Sequence, residues 1–175
     1  MTGTEQREEH QRFIEDMALL YERAGHTRMQ GRIIAWLMLS DLPHHTAAEI
    51  AAALQASKAS ISTNIRMFVA AGLIERFTRP PDRRDYYRLR DDAWPRALEH
   101  SFPLVEAYGD LAERGLRLVG DGAAARRRLE EMRDFYDFYR RGLRELLDRW
   151  TRGERVRDRK ITRLNSSHGK LSRMP

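Results

Sequence analysis

"SKASISTNIRMFVAAGL", residues 57 to 73, decides how this chain is read. Ile61, Ile65 and Phe68 recur at i, i+4 and i+7, the spacing that buries one stripe of a helix. The opposite side carries Ser60, Ser62, Thr63 and Arg66, where a surface helix ordinarily uses Glu, Lys or Ala. Serine and threonine are mediocre helix formers, because their hydroxyls compete for nearby backbone groups. A helix that gives up stability on its exposed face in this way is suited to touching a partner. Ser57 stands where an N-cap is wanted, and Gly72 supplies the left-handed stop at the other end.

The neighbours define the motif. "TAAEIAAAL", residues 46 to 54, opens with a capping box in which Thr46 accepts from the backbone of residue 49 and Glu49 reaches back. Ile50 and Leu54 turn that short helix inward, and "QAS" joins it tightly to the next. Downstream, Leu73 to Thr78 and Asp85 to Leu89 read as two short strands, with "RPPDRR" as their turn and six arginines along the hairpin. Two short helices joined by a tight turn and followed by a basic hairpin make a winged helix-turn-helix. Its second helix enters the major groove of double-stranded DNA, and its hairpin lies along the backbone or in the minor groove.

Each residue on these elements then has an expected task. Ser60, Ser62 and Thr63 let the helix sit close to base edges and both donate and accept hydrogen bonds. Arg66 forks onto guanine or clamps a phosphate. Ser57 and Lys58 stand at the helix N-terminus, whose backbone N–H groups suit a phosphate. Arg83 and Arg84 are expected at the wing tip, and Arg79 and Arg88 nearer the phosphates. Arg83 is favoured for a narrow minor groove, because Asp82 and Asp85 stand ready to pair with Arg84.

Charge sharpens the reading. The 175 residues carry a formal +6. Residues 57 to 90 hold eight Lys/Arg against three carboxylates, whereas residues 1 to 56 are net acidic and residues 91 to 157 are balanced. The positive field is local to the odd helix and its hairpin. Residues 158 to 175, "DRKITRLNSSHGKLSRMP", break with everything upstream and hold two of the three lysines. They resemble the translated read-through of a sequencing adapter, "RKSTRLNSSH", with Ile161 the one departure. They are read as a non-native tail and set aside from the fold.

The rest of the chain reads as helix. Residues 5 to 24 put Phe13, Met17 and Leu20 on one side, and residues 28 to 39 offer Ile33, Ile34, Leu37 and Met38 to a core. Asp92 to Leu118 is expected as one helix bent near Pro103, and Ala123 to about Trp150 as a long last one. Leu129, Met132, Phe135, Tyr136, Tyr139, Leu143, Leu146 and Trp150 run along that last helix at three- and four-residue steps. So long a stripe, joined by Phe13, Met17 and Leu20, is expected to close a homodimer, with two recognition helices about one DNA turn apart. Trp36, Trp94, Tyr108 and Phe138, near Phe135 and Tyr139, are candidates to line an effector pocket between arm and reading head, where aromatic faces would suit a cation.

The expected fold is mainly α with a small β-hairpin, a winged helix-turn-helix flanked by N- and C-terminal dimerisation helices. Its parts are an N-terminal helix (1–27), the DNA-binding domain (28–91), C-terminal helices (92–157) and the tail (158–175). The acidic, polar start is unlike a secretory signal, and the apolar run from Ile33 to Leu39 is far too short to span a bilayer. A cytoplasmic protein with no membrane partner is expected. Without cysteine, neither a disulfide framework nor a thiolate metal site is available. The six histidines are scattered, and no His-x-x-x-His, phosphate loop or Gly-x-Ser-x-Gly occurs, so no cofactor, metal or catalytic activity is expected. A helical adaptor without specific DNA readout is the alternative; it would account for the last helix but not for the arginine hairpin.

Taken together, "GRIIAWLMLSD", "TAAEIAAALQASKASISTNIRMFVAAGLIER" and "PPDRRDYYRL" resemble the MarR superfamily, and more closely its GbsR-like branch. The resemblance implies a dimeric transcription regulator, often a repressor of genes near its own. It carries Ser57, Lys58, Ser60, Ser62, Thr63, Asn64 and Arg66 onto recognition-helix positions, and Arg83 and Arg84 onto wing positions. Ala59 departs from the glycine common in the closer relatives. The flanking helices hold no motif matching the effector residues of the choline-responsive member.

Overall fold

The computed structural model describes residues 3–120 and 122–154; the tail at 158–175 lies outside the described residues. Helix α1 (Gly3–Arg23) packs along α2 (Arg28–Leu39), burying Ile14 and Ala18. The crossing is close because position 31 has no side chain. A Cβ on Gly31 would lie 2.6 Å from the Ala18 Cα and 2.6 Å from the Met17 carbonyl oxygen. Thr27 caps α2 through a capping box with Gln30.

A second capping box, between Thr46 and Glu49, starts α3 (Ala47–Ala53), and the Ser57 hydroxyl accepts from the Ser60 N–H to start α4 (Lys58–Ala70). At the far end of α4, Gly72 takes φ +74; its N–H reaches Val69 while that of Leu73 reaches Phe68, so the last carbonyls are satisfied. The core lies between α2, α3, α4 and the sheet, with Ile33, Ile34, Ile50, Ile61, Ile65 and Ile74 fully buried.

Three antiparallel strands complete this unit, in the order β1-β3-β2. They are β1 (His45–Thr46), β2 (Ile74–Arg79) and β3 (Asp82–Leu89). Strand β1 is only two residues long, so the sequence carries no alternation by which to detect it. The hairpin turns at Pro80–Pro81, and the pairing then steps from Arg79↔Asp82 to Thr78↔Asp85. One step on β2 thus faces three on β3, and Arg83 and Arg84 bulge from the ladder. They sit beside the tip rather than at it.

The expected single helix from Asp92 to Leu118 is two helices, α5 (Ala93–Glu99) and α6 (Phe102–Leu118). Proline lacks an N–H and crowds the carbonyl four residues back, so a continuous helix through Pro103 is disfavoured; within the first turn of α6 it is tolerated.

Helix α7 (Ala123–Thr151) runs back along α6. Tyr108 and Tyr136 stack at 4.7 Å, Leu129 fills the space over Gly115, and Arg144 pairs with Glu106 at 2.7 Å. The single apolar stripe read from the sequence therefore splits. Leu143 is buried inside the chain, which corrects its expected place on a dimer face, while Leu129, Met132 and Tyr136 are half-buried along α6. Phe135, Tyr139, Leu146 and Trp150 remain exposed on α7, as do Leu104, Tyr108, Leu111 and Leu118 on α6. At about 100° per residue both sets are offset in the same sense from the buried seam. In an antiparallel pair that puts them on one face. On α1, Phe13 and Leu20 are exposed and Met17 is half-buried.

Candidate nucleic-acid interface

Lys58, Ser62, Thr63 and Arg66 of α4 all face solvent, with Ser60 half-buried at the margin. The Arg66 guanidinium donates to the Thr63 hydroxyl at 3.3 Å, which holds it over the helix surface rather than away from it. Asn64 is the exception. It is 8% exposed, and its amide bonds Thr27 and the Ser60 carbonyl, so its expected place on the reading surface is corrected. Met67, 53% exposed, completes the outward face. The sequence held the signal for it, since Met67 follows Thr63 by four residues and falls on the same side.

On the hairpin nearly every arginine is engaged. Arg76 pairs with Asp85 at 2.9 Å, Arg88 with Glu75 at 2.7 Å and Arg90 with Asp92 at 2.9 Å. Arg79 donates to the His44 ring at 2.8 Å. Arg84 grips Asp82 through its side chain and its backbone N–H, and the Tyr86 hydroxyl donates to the same carboxylate at 2.8 Å. Those bonds hold the Asp82 carboxyl far below the usual carboxylate range. Arg83 alone among the hairpin arginines has no partner among the described residues; it is exposed and outside the ladder. Exposed ion pairs are weak, so Arg84 and Arg88 can exchange partners for phosphates, and Arg79 has only its hydrogen bond to the His44 ring to give up. Arg83 has nothing to give up.

The four aromatic residues expected around an effector do not converge. Trp36 packs on the His45 ring at 4.3 Å, and Trp94 lies in a cleft with Pro95, Leu98, Leu146, Leu147 and Trp150. Tyr108 stacks on Tyr136, while Phe138 is 70% exposed. That pocket is corrected: one apolar cleft between α5 and α7 exists, and of the four it contains only Trp94. Among the described residues, no group of three or more His, Asp or Glu is placed to hold a metal, and no helix is long and apolar enough to cross a membrane.

Comparison with known proteins agrees with this geometry. The model of the MarR family matches residues 24–85, and that of MmpR5-like MarR family transcriptional regulators matches residues 92–154. The chain is 38% identical over 140 residues to the HTH-type transcriptional regulator MmpR5 of Mycobacterium tuberculosis, covering 79% of this chain and 85% of that protein. The chain belongs to the MarR family. A crystal structure described as that of a transcriptional regulator superposes with a TM-score of 0.74 at 36% identity, covering 82% of this chain and 99% of that one. As a MarR-family member the protein is a DNA-binding transcriptional regulator, not an enzyme, and the adaptor alternative falls away. The matches name the MmpR5-like group rather than the GbsR-like branch.

Proposed function

We infer that this MarR-family protein is a cytoplasmic homodimeric repressor reading a pseudo-palindromic operator. Each protomer lays α4 in the major groove and sends Arg83 into the flanking minor groove. The observation that carries this reading is the outward face of Ser62, Thr63, Arg66 and Met67 beside an arginine with no internal partner. The apolar face shared by α6 and α7, with Phe13 and Leu20 of α1, supports the dimer, because large exposed apolar patches mark interfaces. Membership of the GbsR-like branch, argued from the recognition-helix and wing sequences, belongs to the same reading. So does release of the operator by a small molecule. The α5–α7 cleft around Trp94 is the place from which such an effector would couple the reading head to the dimer arm.

Salt titration of binding tests the wing. The logarithm of affinity falls linearly with that of salt, by about 0.9 for each phosphate neutralised. Arg83→Ala removes one cation per protomer, so in a dimer the slope should flatten by about two and affinity should drop. Arg84→Ala, whose guanidinium is already held by Asp82, should change it less. A slope unaffected by Arg83→Ala would remove the wing from the interface.

A further inference from the structure

Asn64 has a use that its burial does not by itself explain. It is an amide set beside Ile61, Ile65 and Phe68, which an apolar residue could have joined. Its Nδ2 donates to the Ser60 carbonyl at 2.8 Å, and its Oδ1 accepts from the Thr27 hydroxyl at 3.1 Å. The Thr27 oxygen at the same time accepts from the Gln30 N–H at 3.2 Å, so this one hydroxyl caps α2 and bonds α4. Gln30 in turn returns its Oε1 to the Thr27 N–H at 2.9 Å and extends its Nε2 to the Met67 sulfur at 3.4 Å. Ser60, Asn64 and Met67 are successive positions along one flank of α4. The first turn of α2 therefore holds that flank through directional bonds.

Direction is what the apolar contacts lack. Ile61, Ile65 and Phe68 attract α4 to the core, but burial is non-directional and tolerates a small roll of the helix. A roll of about 20° carries a side-chain tip lying some 6 Å off the axis through about 2 Å. Base-edge hydrogen bonds are lost at such a displacement, since a recognition site must be held to within about 0.5 Å. Contacts from long cations to phosphates survive it. The amide also reads in one orientation only: turned over, its oxygen would face the Ser60 carbonyl.

The geometry points to Asn64 and Thr27 as positioning residues that set the roll of the recognition helix, and thereby the discrimination among DNA sequences rather than the affinity for DNA as such. This rests on the reading of α4 as the DNA-contacting helix. It also ties that helix to the α1–α2 pair, since Thr27 and Gln30 directly precede Gly31, where α1 abuts α2. The roll of each reading head is then referred to the arm that carries Phe13 and Leu20.

The test compares two duplexes at one salt concentration: the sequence that the wild-type full chain enriches from a random library, and a scrambled duplex of equal length. Asn64→Leu, near in volume but without the amide, should weaken binding to the enriched duplex at least about tenfold. Its binding to the scrambled duplex should stay within about twofold. Thr27→Ser keeps the hydroxyl and should keep the wild-type ratio, Thr27→Val should lower it as Asn64→Leu does, and the double variant should lose nothing further. If Asn64→Leu does not fold, the contrast between Thr27→Ser and Thr27→Val decides alone. A ratio unchanged in the folded variants, or two affinities that fall in proportion, would overturn the positioning role while leaving α4 as the DNA contact. Failure of the wild-type chain to enrich any duplex would overturn both.

Discussion

Alanine at position 31 should lower the melting temperature by about 4–12 °C. Two effects of opposite sign compete there. Glycine inside a helix costs about 0.5–1 kcal/mol relative to alanine, so propensity alone would make the substitution stabilising. Against it, the new Cβ would lie 2.6 Å from both the Ala18 Cα and the Met17 carbonyl oxygen. These are backbone atoms, which no rotamer change can move aside. Overpacking in a core costs about 1–3 kcal/mol when side chains can adjust, and a clash between two helix backbones belongs at or above the upper end. The net loss is about 2–3 kcal/mol, which at about 2–4 °C per kcal/mol for a chain of this size gives the stated shift. Gly115→Ala is the informative control. The nearest atoms its Cβ would meet belong to the Leu129 side chain, whose methyls at 2.8 and 3.1 Å can swing away, and helix propensity offsets much of the remaining cost. Melting curves in which Gly31→Ala matches wild type would mean that α1 does not sit on α2 as described.

Charging the face shared by α6 and α7 should leave the chain folded and make it monomeric. Leu111 and Phe135 are both exposed within one chain, so Leu111→Glu with Phe135→Glu removes little of the chain's own core. In a two-fold assembly each substitution acts twice. Burying a large apolar side chain is worth about 1.5–3 kcal/mol, so four lost side chains amount to about 8 kcal/mol before the cost of desolvating four carboxylates. Even half of that is about three decades in the dissociation constant. Light scattering should report a wild-type dimer and a monomeric variant of unaltered helicity. Operator affinity should fall by at least about a hundredfold, because a single head engages one half-site. A variant that stays dimeric would locate the interface on another surface.

Much of this was legible in the sequence, and the exceptions have particular causes. The Thr46 capping box, the Ser57 cap and the Gly72 stop are local chemistry, and they stand where the residues put them. Asn64 falls on the reading surface by family correspondence but on the buried side by periodicity. At about 100° per residue it falls within about 60° of Ile61 and on the same side as Phe68, at the edge of the buried arc. The α7 stripe reads as one surface because a single helix shows only how wide its apolar arc is. Where that arc divides between α6 and solvent depends on the partner helix, which its own sequence does not contain. Pairing on the wing was half legible. Asp82 and Asp85 flank Arg83 and Arg84, and it took the β3 bulge to direct Asp82 to Arg84 and Asp85 to Arg76, leaving Arg83 without a partner.

The central claim is that two copies of α4 and two wings meet one face of a duplex. Hydroxyl-radical footprinting of the wild-type protein on the duplex it enriches from a random library tests this most directly. Two protected tracts centred about 10 base pairs apart are expected, each bordered by a minor-groove protection that disappears with Arg83→Ala. A single tract, or protection spread evenly along enriched and scrambled duplexes alike, would contradict it.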